Sequence, residues 1–296
     1  MEPQQTGYPR FSFGQTVSDL FAVIGRNLLL LCGLALLLYG VPSAIFTAFF
    51  LDSMMSLFAN ADVENAEALY SGWFSSFGPA IGAAMIGGIL ISIYAQSAMM
   101  WVVVEDLKGE RPSFGRALGA GFRFFLPILG ITLIYYVGLI GLVTLPFLLG
   151  IGTGGVWVAV VLFLFVILPL ICFFIVALLV AVPAAIAERC GVIGAIGRSW
   201  GLTVGHRWKL FAMVLIFGFV AMIVSSALSA VTMPFMALDT GGGGSPFDGM
   251  MPALVVQSLL NSLLLVFTYP AIAATYHNLR IAKEGVTHES VLDIFE

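Results

Sequence analysis

Six stretches of the sequence lack charged residues and are each long enough to cross a bilayer as an α-helix. A hydrocarbon core about 30 Å thick requires about 20 apolar residues per helical span. None of the stretches alternates with a period of two, as the strands of a membrane β-barrel do. In the longest stretch, Pro169 and Pro183 predict a kink. The stretches are 28–50, 80–104, 126–149, 156–186, 210–236 and 251–275.

The composition excludes several classes of soluble protein. Hydrophobic residues make up 60% of the 296 residues and charged residues only 9%, whereas charged residues are roughly 25% of a typical soluble domain. Such a chain cannot cover a water-soluble fold of its size with charge, which excludes a cytosolic enzyme, a nucleic-acid-binding domain and a disordered chain. We therefore predict an all-α membrane protein, a single polytopic domain over residues 1–296 that folds as a bundle of six transmembrane helices.

The charged residues are sorted between the two ends of the apolar stretches. All 12 Lys and Arg residues fall on one side, whereas the loops on the other side contain acidic residues and no basic ones. Because basic residues are enriched in cytoplasmic segments, we predict that both termini lie in the cytoplasm. The basic residues are Arg10, Arg26, Lys108, Arg111, Arg116, Arg123, Arg189, Arg198, Arg207, Lys209, Arg280 and Lys283. The acidic residues of the outer loops are Asp52, Asp62, Glu64, Glu67, Asp239 and Asp248.

A short amphipathic segment precedes the first, third and fifth spans. In each segment, apolar residues recur at helical spacing beside basic residues on the polar side. The chain leaving the even-numbered spans is also similar from copy to copy, as at Tyr94 and Tyr269. We predict a threefold repeat in which a short interfacial helix precedes a hairpin of two spans; helical connectors packed on the bundle explain the segments equally well. The amphipathic segments are 12–24, 113–125 and 193–204.

Two further segments carry a resemblance to a known family. Residues 183–208 contain the pattern Glu188-Arg-Cys-Gly, then Arg198-Ser-Trp-Gly, then His206-Arg-Trp, and the tail 276–285 reads Tyr-His-Asn-Leu-Arg-Ile-Ala-Lys-Glu-Gly. Together with the amphipathic start at Ser12, they resemble a bacterial six-span family related to the membrane domain of some glycerophosphodiester phosphodiesterases. The resemblance implies a multi-pass protein of the bacterial inner membrane. The catalytic half of those fusions has no counterpart in this chain, so the resemblance implies no hydrolase activity.

Charged and titratable groups of the kind that ion-coupled transport uses are absent from the six stretches. The three histidines, His206, His277 and His288, are far apart and lack metal-ligand spacing, and we predict neither a metal nor any other cofactor. We therefore expect that the protein is not an enzyme.

Two groups of polar residues are candidates for specific contacts. Arg198, His206, Arg207 and Lys209 lie close together in sequence with tryptophans between them, and could bind lipid headgroups or only enforce topology. Within the spans, Gln96, Gln257 and Asn261 could line a solute path or form hydrogen bonds between helices, and the second interpretation is favoured.

Two functional hypotheses follow from these features. The first is a non-enzymatic structural or regulatory membrane component that interacts with lipid, suggested by the basic amphipathic segments. The alternative is a transporter or channel for an uncharged or lipid-like solute, suggested by the repeat. Membrane lipids are the expected partners and nucleic acid is not. Association with a second copy or with other membrane proteins stays open, since small residues such as Ala83 and Gly87 let helices approach closely.

Overall fold

The computed structural model describes residues 11–59, 66–153, 155–237 and 250–285. Within these ranges every regular element is a helix, and no strand is present. Several residues of the charge and histidine patterns, and the side chain of Glu67, lie outside the described part: Arg10, Asp62, Glu64, Asp239, Asp248 and His288.

Six helical segments of the described chain are long and apolar enough to cross a membrane. This confirms the predicted all-α architecture with six spans, because each predicted stretch coincides over most of its length with one of these segments. The segments are Phe13–Met55, Phe77–Leu107, Phe114–Leu145, Trp157–Glu188, Arg207–Thr232 and Met251–Glu284.

The second amphipathic segment is not a separate helix, as the repeat predicts, but continues into the span that follows it, whereas the first is separated from its span by a kink. Helix α1 (Phe13–Ala35) bends at Asn27, whose φ of −122° and ψ of 19° are not helical. A π-helical turn (Leu36–Gly40) then leads into α2 (Val41–Ala59). Helix α3 (Ala66–Leu107) forms the second span, and α4 (Phe114–Thr153) contains both the second amphipathic segment and the third span.

The fourth span is broken where its prolines predict. Helix α5 (Val156–Leu162) is followed by a π-helical turn (Phe163–Ile167) and by α6 (Leu168–Leu178), which has Pro169 in its first turn. A proline ring clashes with the carbonyl group four residues earlier, and a π-helical turn relieves that clash. A second break precedes α7 (Ala181–Glu188), which contains Pro183.

The third amphipathic segment is a helix of its own, α8 (Gly191–Thr203). It ends because Val204 is extended, with a ψ of 130°, and Gly205 has a φ of +88°, a conformation that residues with a side chain rarely adopt. The chain then forms α9 (Arg207–Ala237), α10 (Met250–Ser262) and α11 (Leu265–Glu284). The threefold repeat of a short helix and a hairpin of two spans stays a prediction.

The helices contribute to two compact units. The first comprises Met1–Asn27, Ser97–Gly218 and Thr268–Glu296, and the second comprises Leu28–Gln96 and Phe219–Phe267. Every basic residue of the described ranges belongs to the first unit. The single domain over residues 1–296 stays a prediction.

The first unit has an apolar core formed by α6, α7, α8, α9 and α11. Leu202, Leu210 and Leu279 are among its fully buried residues, and Tyr276 packs with them. Helix α8 also approaches α4 closely, since a Cβ atom at Gly130 would lie 2.7 Å from the side chain of Val192. This packing holds the segment between α8 and α9 in place, where the candidate basic residues lie.

In the second unit, close packing depends on a small residue at Gly40. A Cβ atom there would lie 2.7 Å from the hydroxyl oxygen of Ser262, which belongs to α10. Glycine therefore allows the π-helical turn of the first span to pack directly against α10.

Candidate functional site

The candidate basic residues lie where α8 ends and α9 begins. Arg198 is on α8, His206 is in the turn, and Arg207 and Lys209 are in the first turn of α9. The turn is closed by a hydrogen bond of 3.0 Å from the backbone N–H of His206 to the carbonyl oxygen of Thr203. We call this region the α8–α9 corner, comprising residues 198–209.

Arg198 is engaged by carboxylate groups of the protein. Its Nε atom donates a hydrogen bond of 2.8 Å to Oε1 of Glu188, and its guanidinium group forms an ion pair with Glu284. The hydroxyl group of Tyr276 donates to the same oxygen of Glu188 at 2.7 Å. Burial disfavours the charged form of Arg198, but the bonds to the two carboxylates outweigh it, and the pKa of Arg198 is raised. Arg198 therefore ties α7, α8 and α11 together.

Arg207 lies against two aromatic rings. Its Cζ atom is 4.5 Å from the ring centroid of Phe173 on α6 and 4.4 Å from that of Trp200 on α8. A cation over the face of an aromatic ring is attracted by the negative potential of that face. The Nε and Nη2 atoms of Arg207 are buried and find no hydrogen-bond acceptor in the described part of the chain. The rings therefore hold a guanidinium group whose edge still requires an acceptor.

A hydrogen bond between α6 and α8 positions these rings. Ser199 is fully buried, and its hydroxyl group donates to the carbonyl oxygen of Ala177 at 2.8 Å. The neighbouring residue, Trp200, then meets Phe173 edge to face, with ring centroids 5.6 Å apart. Ser199 and Trp200, the serine and the tryptophan of the Arg-Ser-Trp-Gly pattern, thus help to form the surroundings of Arg207.

His206 is half-buried beside the ring of Phe11, with centroids 5.8 Å apart. Burial lowers the pKa of His206, and the positive charges of Lys283 and Lys209 lower it further. His206 is therefore neutral at pH 7, and its Nδ1 atom is buried without a hydrogen-bond partner among the residues described. The positive charge of the α8–α9 corner comes from its arginines and Lys209.

Two further residues of the corner, Trp208 and Lys209, face outward. Lys209 is exposed, and the side chain of Trp208 is 85% exposed. Exposed tryptophan beside basic residues is typical of the interface between a membrane and water. The corner therefore has an exposed tryptophan and an exposed lysine next in sequence to the half-buried Arg207.

Comparison with known proteins identifies a family for almost the whole chain. The model of a family described as a domain of unknown function (DUF7847) matches residues 12–279. The chain belongs to this family. No curated protein and no solved structure matches it. The resemblance to the membrane domain of glycerophosphodiester phosphodiesterases is not tested by the DUF7847 match and stays a prediction.

The intramembrane polar residues of this DUF7847 protein form bonds between α9 and α10 in the second unit. Gln257 accepts a hydrogen bond of 2.9 Å from Thr232 and donates one of 3.1 Å to Ser229. Asn261 accepts one of 3.2 Å from Ser225. These bonds use both ends of the Gln257 amide, which favours the interpretation that it joins helices. Gln96 is half-buried and forms no hydrogen bond with these residues.

A second polar cluster, in the first unit, was not predicted from the sequence. Asp106 at the end of α3 pairs with Arg26 at 2.6 Å and accepts a hydrogen bond of 2.7 Å from Asn27. Its side chain is only 8% exposed. This cluster joins α3 to the bend of α1. The sequence hinted at such partners only because ten of the 16 acidic residues fall on the same side as the 12 basic ones.

A metal centre is not evident in the described ranges, where no group of three or more His, Cys, Asp or Glu side chains is arranged to hold an ion. His206 and His277 lie on different elements, the α8–α9 turn and α11.

Proposed function

We propose that this DUF7847 protein is a non-enzymatic, lipid-interacting component of the bacterial inner membrane that binds anionic phospholipid headgroups at the α8–α9 corner. In this proposal both termini are cytoplasmic, so the corner faces the headgroups of the inner leaflet. An anionic inner leaflet attracts basic residues near its surface by about 1 kcal/mol for each Lys or Arg. Arg207 and Lys209 are the residues that bind, and Arg198 supports the local fold.

The observation that carries the proposal is the environment of Arg207. A buried donor without an acceptor costs about 1–3 kcal/mol, and more when the group is charged. A phosphate oxygen is the acceptor that a guanidinium edge recognises best, because two parallel N–H groups match two oxygens. The rings of Phe173 and Trp200 contact the guanidinium group from adjacent directions, since their centroids are only 5.6 Å apart, and its Nε and Nη2 donors remain without an acceptor in the described part of the chain.

The test is lipid preference measured on the full chain purified in detergent. A lipid that binds the folded state raises the unfolding temperature according to its affinity and concentration. We expect phosphatidylglycerol to stabilise the protein more than phosphatidylcholine does, and Arg207→Gln to reduce that preference. Charge-assisted hydrogen bonds contribute about 1.5–3 kcal/mol each, so the loss should be roughly 10-fold or more in relative affinity.

Arg123→Gln provides a matched control. Arg123 is exposed and also lies over an aromatic ring, that of Phe124 at 5.6 Å, but it belongs to α4 and not to the corner. Removal of this charge should leave the preference almost unchanged. Equal stabilisation of the wild-type protein by the two lipids would overturn the proposal, as would equal effects of the two substitutions.

The alternative of a transporter or channel is not favoured by a specific contact. Of the three residues proposed to line a path, Gln96, Gln257 and Asn261, the last two are engaged in hydrogen bonds with α9. They are the residues whose substitution would test transport if a solute were identified.

A further inference from the structure

An apolar groove lies between α4 and α6 in the first unit. It has a volume of about 260 Å³ and is open along one side. Gly138 and Leu142 contribute to its wall on α4, and Ile171, Phe174 and Leu178 contribute on α6. Both helices belong to candidate membrane spans, so the groove lies along a surface that the hydrocarbon core surrounds.

The groove lies near the aromatic rings that contact Arg207. Phe174, which lines the groove, lies 6.4 Å from the ring of Trp200, measured between centroids. Trp200 is one of the two rings that hold the guanidinium group, and Phe173, the other, is the neighbour of Phe174 in the chain. The rings of Phe174 and Trp200 therefore stand between the apolar groove and the half-buried Arg207, whose Nε and Nη2 donors find no acceptor in the described structure.

We propose that one molecule of an anionic phospholipid occupies this site, with an acyl chain along the α4–α6 groove and its phosphate at Arg207. The inference rests on the proposed function, since it specifies how the same arginine binds lipid. A phospholipid combines a long apolar chain with an anionic head, which matches an apolar groove beside a guanidinium edge. Inorganic phosphate would leave the groove uncovered, and an apolar helix of a second copy would leave the donors of Arg207 without an acceptor.

Gly138 allows the groove to be filled without disturbing the protein. A Cβ atom at this position would meet no other atom within 4 Å, so Gly138→Leu places a side chain into open space. Leucine also has a higher helix propensity than glycine, which favours α4. Gly141→Leu is the matched control, because Gly141 is on the same helix, is equally open and does not line the groove. Gly138→Ala gives a smaller filling if the leucine variant folds poorly.

The experiment measures the binding of dioleoyl phosphatidylglycerol and dioleoyl phosphatidylcholine to the full chain by native mass spectrometry in detergent. We expect Gly138→Leu to weaken binding of both lipids about 10-fold, since it displaces chain contacts common to both. We expect Arg207→Gln to weaken binding of phosphatidylglycerol alone. Gly141→Leu should bind both lipids as the wild-type protein does.

The outcomes separate this inference from the proposed function. If Arg207→Gln removes the preference for phosphatidylglycerol while Gly138→Leu and Gly141→Leu behave alike, headgroup binding stands and the groove is wrong. If the wild-type protein does not prefer phosphatidylglycerol, both proposals fail as stated. Binding of inorganic phosphate as tight as that of phosphatidylglycerol would overturn the groove, and so would a dimer that only Gly138→Leu dissociates.

Discussion

Replacement of Arg198 by methionine tests whether this arginine stabilises the fold. The substitution keeps a long side chain but removes two charged contacts, to Glu188 and to Glu284. It also leaves the two carboxylates without the positive charge that lies between them. The side chains are partly shielded, with 29% of Arg198, 21% of Glu188 and 27% of Glu284 exposed.

The magnitude follows from this burial. A hydrogen bond to a charged group contributes about 1.5–3 kcal/mol, whereas a fully exposed ion pair contributes about 0–1 kcal/mol. For two contacts with about a quarter of each side chain exposed, we expect a loss of roughly 3 kcal/mol in the free energy of unfolding. At roughly 2–4 °C per kcal/mol, the unfolding temperature should fall by about 6–12 °C.

The assay is thermal unfolding of the purified protein in detergent, followed by tryptophan fluorescence. Arg189→Met is the control. It is the same substitution as Arg198→Met, but Arg189 is exposed on the neighbouring turn. Tyr276→Phe should cost about half as much, because it removes one donor to Glu188. The double variant should deviate from additivity, since both residues bind one oxygen. Equal shifts for Arg198→Met and Arg189→Met would refute this account.

Two further predictions use the same assay. Gln257→Leu removes the bonds to Ser229 and Thr232, and at about 0.6 kcal/mol per bond between membrane helices it should lower the unfolding temperature by about 2–5 °C. For His206, burial and two neighbouring lysines lower the pKa from 6.5, so the unfolded chain binds this proton first as the pH falls. The contribution of His206 to the free energy of unfolding is therefore complete above pH 6.5. The protein should lose this stability as the pH falls below that value.

Matched variants check the predictions for Gln257 and for His206. Gln96→Leu should have a smaller effect than Gln257→Leu, because Gln96 does not belong to the bonds between α9 and α10; a larger effect would contradict the assignment. For the second, the unfolding temperature is compared at about pH 7.5 and about pH 5.5 in the wild-type protein and in His206→Gln. The variant should lose less stability on acidification, and an identical loss would assign the pH dependence to other groups.

The outcome for the amphipathic segments illustrates why element boundaries were only partly predictable. Helical spacing predicts a helix at 113–125, and the structure has one, but it continues through α4 without a break. The segment at 193–204 ends because Gly205 adopts a positive φ after an extended Val204. Periodicity reports which residues are helical, whereas the conformation at a few residues decides where one helix ends.

The candidate site, too, was only partly predictable from the sequence. The cluster of basic residues was evident because its members are close in sequence, and the tryptophans between them suggested a membrane interface. The different environments of Arg198 and Arg207 were not evident. They depend on Glu188, Glu284 and Phe173, whose positions relative to the arginines are set by packing.

The sequence by itself determined the number of spans, the all-α class and the sorting of charge. These properties depend on the length and composition of continuous segments, because a bilayer requires an uncharged helix of about 20 residues for each crossing. Only the tertiary structure decided which arginine is paired with carboxylates and which lies against two aromatic rings. Tyr276 and Glu188, which meet at one oxygen, are 88 residues apart, and no local pattern specifies a contact of that kind. Such contacts arise when separate helices pack their ends together, and they pair Arg198 with carboxylates while two donors of Arg207 find no acceptor in the described part of the chain.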